Sequence, residues 1–122
     1  MTKEELVYLL NRYGFIEKAL KNNKSEVSFY VGNRKETIII DDNVRIVISI
    51  IDDILKLESP LIVQIINYWL KFGYSDEYII IRMPFSRSTY YRIKRIIENK
   101  IYQFCILRGL VSYDDLLSEK IG

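Results

Sequence analysis

Leu6, Leu9, Leu10, Tyr13 and Ala19 or Leu20 recur at helical spacing and predict one helix from Thr2 to about residue 22. Thr2 stands at its start as a cap, with Glu4 and Glu5 near the positive end of the helix dipole, and Asn22-Asn23 breaks it. The pattern then changes. Residues 26–31 (EVSFYV) and 36–40 (ETIII) are rich in β-branched and aromatic side chains, with Gly32-Asn33-Arg34-Lys35 between them, and predict a small β-hairpin. Residues 43–57 are apolar on nearly every side. They read as a helix capped by Asp41 or Asp42, buried inside the domain or between two copies, although the run Val44, Ile46, Val47, Ile48 also suits a strand.

Ser59-Pro60 opens the next segment, a capping residue followed by Pro at the first helical position. Ile62, Ile65, Ile66, Trp69 and Leu70 keep helical spacing until Gly73. Ser75 caps a short helix to about Met83, Pro84-Phe85 interrupts, and Ser86 caps a long helix to about Arg108, before Gly109. Ser112 caps a last expected helix over Tyr113–Lys120. The expected fold is therefore mainly α: a helical domain with a small N-terminal β-hairpin and a C-terminal helix-turn-helix. Residues 1–57 would supply core and dimerisation elements and residues 58–122 the DNA-binding region.

On a wheel of about 100° per residue, Tyr90, Ile93, Ile97, Ile101 and Phe104 form an inward stripe of the long helix. Ser88, Arg92, Arg95 and Asn99 fall opposite, with Tyr91 beside them. Ser88 to Asn99 spans about 16 Å of helix, a footprint suited to a major groove about 12 Å wide. A long helix, a short helix, a tight break and a basic capped helix are the parts of a helix-turn-helix.

Charge sharpens this picture. The chain of 122 residues has a net charge of +2, yet residues 60–108 hold eight cations against three acids, a local balance of +5. The run 84–97 carries four cations and no acid. Nucleic acid is the commonest partner of such a patch, because each cation on a phosphate releases a counterion; a solvated helix face is the plain alternative. Arg92 and Arg95 can grip guanine edges or phosphate, and Asn99 can read adenine. Ser86, Ser88 and Thr89 at the helix start suit a phosphate oxygen, Tyr91 suits phosphate or sugar, and Lys94 with Lys100 suits phosphate or open surface.

The stretch GYSDEYIIIRMPFSRSTYYRIKRII (residues 73–97) resembles the C-terminal helix-turn-helix of the ArpU/RinA-like phage transcriptional regulators, itself similar to region 4 of sigma factors. The likeness covers roughly residues 58–105. It implies a regulator of phage or mobile-element genes that binds double-stranded DNA through Ser86, Arg87, Ser88, Thr89, Tyr91, Arg92 and Arg95. Ile80 stands where that family commonly has a small residue, and Pro84 where it often has Gly, so the helix crossing angle can differ.

Other chemistry has little to stand on. The chain has no His, and its one cysteine, Cys105, lies in an apolar helical stretch as a buried thiol would. Asp41-Asp42 and Asp52-Asp53 lie about 16 Å apart along a helix, too far to share an ion, and suit capping and surface roles. No enzyme, metal or cofactor is expected. Tyr102 and Ile106 extend the outer face of the long helix and suggest, with the apolar helix 43–57, a homodimer. RNA polymerase is a further expected partner, and a module that binds polymerase or another regulator without touching DNA is the rival function. With a single cysteine and no apolar run of bilayer length, a cytoplasmic setting and no membrane partner are expected.

Overall fold

A computed structural model describes residues 1–114, which form six α-helices, one π-helical turn and one two-stranded antiparallel hairpin. The N-terminal segment is two helices, not one: α1 (Lys3–Leu10) and α2 (Tyr13–Lys21), broken at Asn11-Arg12. Leu6, Leu9 and Leu10 of α1 and Tyr13, Ile16 and Ala19 of α2 all reach the core from the two sides of this break. Thr2 caps α1 as expected, accepting from the Glu5 amide at 3.1 Å.

Strands β1 (Glu26–Val31) and β2 (Arg34–Ile39) pair with Val31 opposite Arg34. The turn is therefore the two residues Gly32-Asn33, tighter than the four-residue connection expected from sequence. Gly32 has φ 62°, the conformation a two-residue hairpin turn demands of its first central residue. A bare two-stranded hairpin is marginal in water. This one leans on the first two helices: Phe29 and Ile38 are buried, the Phe29 ring stacks on Phe15 at 5.1 Å, and the Tyr8 hydroxyl donates to Glu36 at 2.7 Å.

Helix α3 (Asp42–Leu57) settles the choice between helix and strand at 43–57. Asp41 caps it, accepting from the Val44 amide at 2.9 Å. Val44, Val47, Ile48, Ile50, Ile51 and Ile54 are all buried within the one chain. Most of its apolar surface packs within the one chain, in part against the long helix at residues 87–107, while Leu57 at its end is exposed.

Helix α4 (Pro60–Ile66) runs without a break into the π-helical turn Asn67–Lys71. Ser59 occupies the capping position but its side chain makes no capping bond, contrary to expectation. Gly73, at φ 67°, reverses the chain, and the Tyr74 amide donates back to the Tyr68 carbonyl at 2.9 Å. Helix α5 (Asp76–Arg82) follows, capped by Ser75, and then α6 (Arg87–Leu107), capped by Ser86. Gly109, at φ 73°, ends α6, with the Leu110 amide donating to the Cys105 carbonyl. All but the first two residues of the expected helix Tyr113–Lys120 lie outside the described residues. Among the described residues, no helix is long and apolar enough to cross a membrane.

Candidate nucleic-acid interface

The candidate surface is the outer face of α6, and the break before it sets how that helix is held. Met83 leaves the helical conformation with ψ 149°, as the residue before a proline tends to do. Pro84-Phe85 crosses to Ser86, whose hydroxyl accepts from the Thr89 amide at 3.3 Å and donates to the Thr89 hydroxyl at 2.9 Å. Ser86 and Thr89 are therefore occupied in starting the helix; Ser88, 3.3 Å from the Ser86 hydroxyl, is exposed.

The inner side of α6 buries Tyr90, Ile97, Ile101 and Cys105. Ile93 and Phe104, expected in the same inward stripe, are only half-buried, so the helix is turned slightly from the expected angle. That rotation brings Lys94 inward. Its ammonium lies 2.8 Å from the Asp76 carboxylate and 4.8 Å from the centre of the Trp69 ring. The same Asp76 oxygen accepts from the Tyr90 hydroxyl at 2.8 Å. Burial alone would raise the Asp76 pKa, but the hydrogen bonds from Lys94 and Tyr90 and the Lys94 charge hold it below its ordinary value. Burial, and then the Asp76 bond, push the Tyr90 phenol well above its ordinary range. Lys94 is thus a tie between α6 and α5, aimed away from the outer face.

Arg87 is exposed but engaged in a forked ion pair with Glu77 of α5. The hydrogen bond from Arg87 leads the effects that keep the Glu77 carboxyl below its ordinary pKa. Lys100 pairs with Glu58, and Arg108 reaches Ser49 and Asp53 on α3. Arg92, Arg95 and Asn99 differ from all of these: each is exposed, and none has a hydrogen-bond or ionic partner among the described residues. Tyr91 stands beside them, 37 % exposed and edge-on to Tyr90 at 5.3 Å. The structure therefore keeps Ser88, Tyr91, Arg92, Arg95 and Asn99 together on one accessible face.

Tyr102 and Ile106 behave differently from expectation. Both are half-buried against the core of their own chain, and Lys3 lies 5.8 Å over the Tyr102 ring. Leu107, 79 % exposed, is the large apolar side chain that α6 leaves outward at this end. Asp41, Asp52 and Asp53 are accounted for by capping, by the Tyr13 hydroxyl and by Arg108 respectively. No group of metal-ligating side chains occurs among the described residues.

Sequence reasoning missed Asp76 and Glu77 as partners of the basic helix, because they read simply as first-turn acids of α5. It also missed an aromatic chain, Tyr68–Tyr74–Tyr78 with Phe72, whose ring centres lie 4.3 to 5.8 Å apart along the α4–α5 connection. The crowding of these four rings into residues 68–78 was the available signal. No family model, curated protein or solved structure matches this chain.

Proposed function

We infer that this protein is a sequence-specific DNA-binding transcriptional regulator, with α6 as its recognition helix in the major groove. One observation carries the reading. Among the cations of α6, those at the outward positions, Arg92 and Arg95, have no hydrogen-bond or ionic partner among the described residues, whereas Arg87, Lys94 and Lys100 pair with acids of the same chain. An arginine left in water has all its donors available for guanine edges or phosphates. Ser88, Tyr91 and Asn99 beside them supply hydroxyl and amide groups suited to phosphate and adenine. The likeness of residues 73–97 to the ArpU/RinA-like regulators makes phage or mobile-element genes the field of action.

Fluorescence anisotropy with a random AT-rich duplex at two salt concentrations tests the reading. DNA binding predicts an affinity that falls steeply as salt rises, because bound cations displace condensed counterions. No binding at low salt would remove it. A second reading, a module that docks on RNA polymerase or another regulator, is favoured by the exposed Phe72, Tyr74 and Ile81 around α5, since aromatic side chains are enriched at protein interfaces. It predicts protein capture without salt-dependent DNA binding.

A further inference from the structure

Ile96 is out of place for a packed helix. It lies between the half-buried Ile93 and the buried Ile97, yet it is 51 % exposed and does not join the core. Within residues 86–100 the exposed large apolar side chains are Tyr91 and Ile96, and Tyr91 has a hydroxyl to spend on water or phosphate. Ile96 has none. A β-branched side chain is also not the best helix former for a position facing solvent. One turn away on the helix it has the exposed Arg92 before it and the exposed Asn99 and Lys100 after it, with the half-buried Ile93 on its inner side.

We propose that Ile96 is a specificity-determining residue that packs on the C5-methyl group of a thymine in the major groove. This rests on the DNA-binding reading above and adds to it the base that the helix prefers. Thymine is the base that presents a methyl group in that groove, and an aliphatic side chain is its natural contact. Asn99, three residues on and on the same face, can form two hydrogen bonds with an adenine edge. An apolar and an amide side chain side by side are thus matched to A·T pairs at one or two adjacent steps, while Arg92 and Arg95 hold the register.

The test uses a duplex selected by the full chain from a random pool, with each thymine replaced in turn by uracil, which differs only in lacking the methyl. Wild-type protein should lose about three- to tenfold in affinity at one or two positions, the worth of one buried methyl to a methyl and its neighbour. Ile96→Ala should be indifferent to uracil at those positions alone, and Ile96→Val should retain most of the discrimination. Equal losses in wild type and Ile96→Ala at every thymine, or no loss anywhere, would overturn the assignment while leaving DNA binding intact. Failure to select or bind any duplex with salt-dependent affinity would overturn both together.

Discussion

The Asp76 carboxylate and the Lys94 ammonium lie 2.8 Å apart across the break between α5 and α6, and the Tyr90 hydroxyl donates to the same oxygen. Three groups from two helices thus fix the angle at which the basic helix leaves its neighbour. Asp76→Asn should lower stability by about 1–3 kcal/mol in urea denaturation, the cost of weakening hydrogen bonds to a charged partner.

Acid should show the same tie. The folded Asp76 carboxyl titrates below its unfolded value of about 4. Its contribution is therefore present above that value and is lost as the pH falls through the lower, folded one. Wild-type protein should lose stability below about pH 4, and Asp76→Asn should lose less over that window; identical acid profiles would show that the tie does not matter.

Glu77 on α5 pairs with both terminal nitrogens of Arg87. Glu77→Gln should release it, raising affinity for duplex DNA at low salt and steepening the salt dependence by about one phosphate contact. An unchanged slope in anisotropy titrations would show that Arg87 plays no part in binding.

Arg92 and Arg95 have no partner to lose among the described residues. Arg92→Ala with Arg95→Ala should leave the melting temperature nearly unchanged, yet cost about 2–6 kcal/mol in affinity for the selected duplex. A large drop in melting temperature would reveal a structural role for this face instead.

Gly14 marks a close approach of α2 to the π-helical turn, where an added Cβ would overlap the Lys71 carbonyl oxygen. Gly14→Ala should destabilise by about 1–3 kcal/mol, as overpacking against backbone does, despite the better helix propensity of alanine. Chemical denaturation reads this directly.

Cys105 is buried, and that burial pushes its thiol up to about 11, with the nearby Arg108 charge opposing only in part. Since the thiolate is the nucleophile, a maleimide at pH 8 should label the folded protein very slowly and the unfolded protein fast. Rapid labelling of the folded chain would mean that the C-terminal end of α6 opens readily.

Much of the architecture is legible in short stretches of the chain. Ser75 and Ser86 cap their helices, Thr2 and Asp41 cap theirs, and Gly73 and Gly109 end theirs at positive φ, because such signals act over three or four residues. The outward set Ser88, Arg92, Arg95 and Asn99 follows from helical periodicity alone. The break at Asn11-Arg12 is not legible, since the apolar spacing of Leu6 to Tyr13 continues across it. Ser59 shows the limit in the other direction: a residue suited to capping stands at the right place and makes no capping bond.

Short stretches of the chain mark most helix starts and stops and the basic flank of α6, because those depend on near neighbours and on a fixed rise and twist. Long-range packing alone sets which of the described cations of α6 gain an acid beside them. Arg87, Lys94 and Lys100 find acids 10, 18 and 42 residues away along the chain, and no local pattern announces a partner at such separations. A charge reads the same in sequence whether or not folding brings an opposite one beside it. The available positive surface is what remains after the fold has neutralised the rest.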